Sequence, residues 1–300
     1  MGESKTVIGE CALCKKRSEL QLSHIIPKFV IRYLKKTSVG NIRSTEDPNK
    51  IVQDGEKLYL LCKECEKRFN VAETKFAKFI FYPYIKNDCR SFNYDKWLHY
   101  FMISLAWRNL YLDIVNFVRE HDVELNDLQV LIDSEKITRD YLMGRRHDVD
   151  EIETHLFFFD DILSASKEIA KLNPHTFFRR GEGGYTFYSS LNETYVTISN
   201  LMGIVVIVIY KKGIDEKWVN TRIINGAETI LAKNQMITSI VSNEFIEWMK
   251  IIKSKEQELN KEQVKKIKKN IADNKESILN SEVYRNLRKD YSLNGDKPHN

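Results

Sequence analysis

The sequence has no apolar run long enough to cross a membrane. The longest, Leu201 to Tyr210, is about half of what a spanning helix needs, and it reads as a buried strand rich in β-branched residues. The opening MGESKTVIGE shows no charged segment followed by an apolar one, so no secretory leader, no membrane partner and a cytoplasmic setting are expected. Cysteine is scarce, five in 300 residues, and four of the five fall in two Cys-x-x-Cys pairs. In a chain without export signals that pattern points to a metal rather than to disulfides. No internal repeat is apparent. The run Arg179-Arg180-Gly181-Glu182-Gly183-Gly184 lacks the Gly-Lys-Ser/Thr of a phosphate-binding Walker loop and reads as a mobile hairpin turn.

What is present is a globular composition, 42% hydrophobic and 30% charged, long enough for two domains. The formal charge of +5 is unevenly spread: residues 1–90 carry 18 Lys and Arg against 11 Asp and Glu, and the remainder 29 against 31. Clustered cations of this kind suit a polyanionic partner through counterion release, or form a solvated surface.

The positive excess coincides with the cysteines. Two Cys-x-x-Cys turns, Cys11/Cys14 and Cys62/Cys65, together supply the four thiolates of a structural Zn2+ site. The 47 residues between Cys14 and Cys62 exceed the spacer of a plain zinc ribbon, so an element is inserted between the two halves. Glu19 to His24 alternates as a short strand ended by Pro27, and a polar loop runs from Asn41 to Gly55. Leu58 to Leu61 is a second strand. From Lys63 onward Phe69, Ala72, Phe76 and Phe79/Ile80 recur at helical spacing, with Glu66, Asn70 and Glu73 on a neighbouring polar stripe.

The segment Cys11-x-x-Cys14, Ser23-His24-Ile25-Ile26-Pro27 and Cys62-x-x-Cys65-Glu66-x-x-Phe69-x-x-x-Glu73 resembles the HNH nucleases of the ββα-metal type. The likeness is to their four-cysteine treble-clef version, over roughly residues 9–85. The resemblance implies a divalent-metal-dependent endonuclease that hydrolyses DNA phosphodiester bonds, with a role in bacterial defence against foreign DNA. It makes His24 the general base and Asn41 the loop asparagine. Glu66 becomes a ligand of a catalytic Mg2+ or Mn2+, with Asn70 or Glu73 adding a further oxygen. Lys28, Arg32, Lys35 and Lys36 are its phosphate contacts. One position departs from the family: Ser23 stands where a metal-binding Asp, His or Glu usually precedes the histidine, and a neutral hydroxyl is a poor ligand for a hard cation. A non-catalytic zinc module that holds nucleic acid or a protein therefore stays open beside the nuclease.

The expected architecture is α+β. Residues 1–90 form the zinc domain. Residues 91–253 form a mixed helical and antiparallel β-sheet domain for substrate selection, a protein partner or homo-oligomerisation, and 254–300 a charged helical tail. Within the second domain, Tyr94 to Glu120 reads as a long helix with Trp97, Phe101, Leu105 and Leu112 near one face, and Asn126 to Arg146 as one or two more. Ser164 to Lys171 continues the helical character until Asn173-Pro174 breaks it. Strands are expected at 185–190, 194–199, 203–211 and 219–224, and a helix at 243–252. The closing DYSLNGDKPHN reads as loose. The histidines 99, 121, 147, 155 and 175 show no spacing with acidic partners that makes a second metal site.

Overall fold

The structure, a computed structural model, describes residues 6–294. The chain opens with β1 (Ile8–Glu10), β2 (Arg17–His24), α1 (Lys28–Thr37), a small hairpin of β3 (Ile42–Arg43) and β4 (Ile51–Val52), and β5 (Lys57–Cys62). Strand β5 runs directly into α2 (Lys63–Phe76), which continues through a π-helical turn at Ala77–Phe81 into α3 (Tyr82–Asn87). The wider turn shifts the helical phase, so Ile80 and Phe81 are both buried while Phe79 is exposed. Strands β1, β2 and β5 make an antiparallel sheet in the order β1-β2-β5.

The middle of the chain comprises β6 (Ser91–Tyr94), α4 (Lys96–Glu120), α5 (Leu125–Leu142), β7 (Glu153–Phe158), α6 (Lys167–Ala170) and α7 (Pro174–Arg180). A meander of β8 (Glu182–Ser189), β9 (Thr194–Leu201) and β10 (Ile204–Lys211) follows, then four short strands, β11 (Lys217–Val219), β12 (Arg222–Ile223), β13 (Glu228–Leu231) and β14 (Met236–Thr238). Helices α8 (Ile240–Lys255), α9 (Lys261–Asp273), α10 (Lys275–Leu279) and α11 (Glu282–Leu293) complete it. The fold is α+β, and its main sheet is antiparallel in the order β12-β7-β10-β9-β8.

Helix α4 is the hub. Asp95 caps its N-terminus by accepting from the Trp97 N–H at 2.9 Å, and every residue from Phe101 to Leu110 is buried. A helix buried all round has neighbours on every side. On one side Phe76 stacks on Phe101 with centroids 4.1 Å apart and Phe69 meets Trp107 edge-on at 6.0 Å, which fixes α2 to α4. On the other, Ile204, Val206, Val208 and Tyr210 of β10 join the cores that contain α4. The alternate residues Val205, Ile207 and Ile209 pack with Val241, Phe245 and Met249 of α8. Both faces of β10 are therefore covered, which is why its sequence is an unbroken apolar run.

Several local expectations are corrected. Gly181–Gly184 is not a mobile hairpin turn: Gly181 ends α7 and the rest lie in β8, with Gly184 so close to the Ser199 hydroxyl and the Ile198 carbonyl that a Cβ would clash. Asn173-Pro174 starts a helix instead of only ending one, because proline is tolerated in a first turn. Strand β7 was not expected, since its Thr154 and His155 look polar yet are buried in mid-sheet. The stretch 219–224 holds two short strands and 164–171 a single turn, whereas 126–146 is one helix, within the one or two expected. Residues 290–293 belong to α11 and Asp290 is buried; the rest of the expected loose end, 295–300, lies outside the described residues, as do residues 1–5 of the opening segment. Among the described residues no helix is long and apolar enough to cross a membrane.

Candidate active site

The ladder between β2 and β5 places two clusters at its opposite ends. Its register runs from Leu20 opposite Cys62 to His24 opposite Lys57, with a bulge beside Gln21 and Leu22. At the first end the Sγ atoms of Cys11, Cys14, Cys62 and Cys65 lie within 4.8 Å of one another and could hold a metal ion such as zinc. Local structure builds this end: Cys11 and Cys14 sit on the tight turn between β1 and β2, where Lys15 takes a positive φ of 62°. Cys62 and Cys65 open α2, and the Cys62 N–H donates to Cys11 Sγ at 3.3 Å. Hydrogen bonding with Cys65 holds the Cys11 thiol well below its ordinary range, and the same pairing pushes Cys65 well above it.

At the second end successive residues of β2 face opposite ways. Ser23 turns towards α2 and is fully buried, donating to Glu66 Oε2 at 2.6 Å. His24 turns towards the loop before β5, where its Nε2 meets Asp54 Oδ1 at 3.1 Å. Asp54 is held in turn by the Gly55 N–H at 3.0 Å and the Lys57 ammonium at 3.0 Å. Burial pushes its carboxyl up, but the bonds from Lys57 and His24 outweigh that and hold it well below the usual carboxylate range. A charged Asp54 accepts a hydrogen bond from a protonated Nε2, which leaves Nδ1 as the lone-pair nitrogen. Gly55 is required by space: a Cβ there would meet Ile31 Cγ1 at 2.8 Å and approach His24 Cδ2 at 3.8 Å.

Glu66, Asn70 and Glu73 share a stripe of α2, as the spacing predicts, but their partners differ. Glu66 makes no ion pair among the described residues, and Asn70 is exposed with no side-chain hydrogen bond there. Glu73 is bonded at 2.6 Å by Arg108 of α4. Arg108 is itself almost wholly buried. It donates to the His24 carbonyl at 2.8 Å and to the Ser104 carbonyl at 3.3 Å and lies over the Phe69 ring. Asn41 is exposed before β3, beside Gly40, which abuts Asn270 of α9. No hydrogen bond of its side chain is found among the described residues, and the partner of His24 is Asp54. Lys28, Arg32, Lys35 and Lys36 recur on one exposed face of α1, and Lys35 reaches the Gln53 carbonyl at 2.7 Å beside Asp54.

Two residues of this end were missed in the sequence. Asp54 had a signal, an Asp-Gly pair directly ahead of the strand that pairs with the histidine's own; Arg108 had none beyond its position beside Trp107. Trp107 itself is core, donating through Nε1 to Glu135 at 2.8 Å. Among the described residues the four cysteines are the one group of His, Cys, Asp or Glu side chains gathered closely enough to hold a metal unaided. No protein-family model matches the chain, and no curated protein or solved structure matches it.

Proposed function

We propose that the chain is a divalent-metal-dependent endonuclease of the HNH type acting on DNA, with its chemistry at the histidine end of the ladder and structural zinc at the cysteine end. The observation that carries this reading is the pairing of His24 Nε2 with an ionised Asp54, which leaves Nδ1 free to take a proton from an attacking water. Asp54 orients the ring and stabilises the imidazolium once the proton has moved. Glu66, on α2 at the Ser23 side of the strand, has no ion pair among the described residues, and the Ser23 hydroxyl fixes one of its oxygens. Its donor chemistry fits Mg2+ or Mn2+, which commonly take one or two carboxylates together with water and substrate phosphate. Such an ion would stabilise charge developing on the phosphate and the leaving oxygen. Glu73 is set aside as a ligand, because Arg108 already neutralises it. The exposed cations of α1, of which Lys35 reaches the Gln53 carbonyl next to Asp54, supply phosphate contacts that position a backbone without reading sequence.

A second reading, a zinc module that binds nucleic acid or a protein without cutting, is favoured by one observation. Ser23 offers no carboxylate and Arg108 engages Glu73, so of the expected carboxylate ligands only Glu66 is without an ion pair among the described residues. Supercoiled plasmid incubated with the protein in Mg2+, Mn2+ or EDTA separates the two. Nicking or linearisation that EDTA abolishes supports the nuclease. Intact plasmid that is retarded on a gel under all three conditions supports the binding module.

A further inference from the structure

A concavity lined by Tyr33 and otherwise by residues from Ile85 onward is independent of the nuclease reading. It has a volume of about 860 Å³, within the range of small-molecule sites, and lies between α3, the loop after β7, α7 and α11. We infer that this cavity binds a small phosphorylated ligand of nucleotide size.

Charge is the first argument. Lys86, Arg179, Arg285, Arg288 and Lys289 line the cavity against two acids, Asp161 and Glu282. Both acids are already engaged. Glu282 accepts from the Tyr33 hydroxyl at 2.7 Å and stands 3.4 Å from Arg180, and Asp161 accepts from Lys289 at 2.6 Å. Arg285, Arg288 and Lys86 form no ion pair with a carboxylate among the described residues. Arg285, Arg288 and Ser292 fall on one face of α11 at helical spacing, and Arg179 donates to the Phe159 carbonyl and stands 3.7 Å from Asp161, while its Nε finds no acceptor. Planar guanidinium groups with unspent donors suit phosphate oxygens in particular.

Rigidity is the second. Helix α11 is bolted in place by Asp290, which is buried and accepts from the backbone N–H and Nδ1 of His175 and from the backbone N–H and hydroxyl of Thr176, at 2.6–3.0 Å. His175 in turn accepts the Ile162 N–H at 3.1 Å, so the loop between β7 and α6 is tied to the same floor. The cations are thus held on a preformed wall, which lowers the ordering cost of binding. Shape is the third argument. Tyr33, Ile85, Ile162 and Met202 give the cavity apolar walls able to take a base or another flat body, and the cations converge on this one hollow rather than following a stripe along which a nucleic-acid backbone could run.

Calorimetric titration of the full chain with ADP and with inorganic pyrophosphate tests this, using the wild type, an Arg285→Ala/Arg288→Ala double variant and a Lys265→Ala/Lys266→Ala control on exposed positions of α9 outside the cavity. The expected result is saturable one-to-one binding that weakens at least about tenfold in the double variant, as loss of two charge-assisted contacts implies, and is unchanged in the control. ADP binding more tightly than pyrophosphate assigns a nucleotide, and equal affinities assign the diphosphate chemistry alone. Absence of saturable binding by either probe overturns the inference, as does equal affinity in the double variant. Binding that grows with oligonucleotide length and is not displaced by ADP also overturns it, by assigning the cations to a polynucleotide. Both arginines are exposed, so unchanged melting of the double variant accompanies a valid result.

Discussion

The two ends of the β2–β5 ladder are assembled by different means. The cysteine end is local: each pair sits on one turn, and only the pairing of two adjacent strands is needed to bring four sulfurs within 4.8 Å. The histidine end is assembled from afar, with Ser23 and His24 on one strand, Asp54 thirty residues on, Glu66 and Glu73 on α2, and Arg108 reaching in from the central helix. A metal can hold the first end together by itself. The second depends on α4, and hence on the whole fold, for the position of the histidine backbone.

Three perturbations sharpen that contrast, beginning with the largest. Replacement Cys62→Ser removes one ligand of four, and structural zinc sites contribute on the order of 10 kcal/mol to folding. The expected outcome is loss of bound zinc by mass spectrometry and loss of cooperative melting of the N-terminal segment. Full zinc content with unchanged melting would place stability of that end elsewhere. Next comes Arg108→Met, which leaves Glu73 without its cation and the His24 carbonyl without its donor. Removing one partner of a buried pair typically costs about 3–5 kcal/mol. Melting should fall while zinc content holds, and a drop in both would mean the two ends are not separable.

The smallest effect is expected from Asp54→Asn, because the carboxylate is partly solvated and its pairs are worth about 1 kcal/mol or less. A depressed folded pKa contributes stability that is fully present above the unfolded value of about 4 and lost only as pH falls below it. The difference in melting between wild type and Asp54→Asn should therefore be constant from pH 7 to about pH 5 and shrink in stronger acid. A difference already gone at pH 5 would show that Asp54 is not held ionised by Lys57 and His24.

The same contrast explains what the sequence discloses. Cys-x-x-Cys spacing, the alternation of β2 and the helical recurrence of Phe69, Ala72 and Phe76 are short-range signals, and all three appear in the fold. The Glu66 and Glu73 stripe was equally legible, but the fates of its members were not. Whether a carboxylate stays free depends on Arg108, whose burial is set by contacts between α2 and α4 that no spacing encodes. Spacing does not rank the polar residues of the loop that holds Asn41 and Asp54, and only the pairing of His24 with Lys57 brings Asp54 alongside the histidine. Strand β7 and the docking of α11 escaped notice for a related reason, since polar residues such as His155 and Asp290 are buried there by partners distant in sequence.

The most direct test of the account is plasmid cleavage by His24→Ala beside the wild type in Mg2+, at matched zinc content. The account predicts that the variant retards plasmid on a gel as the wild type does and leaves it uncut, while the wild type nicks or linearises it. Equal cleavage by the two proteins would remove His24 as the base and contradict the assignment of the histidine end as the site of chemistry.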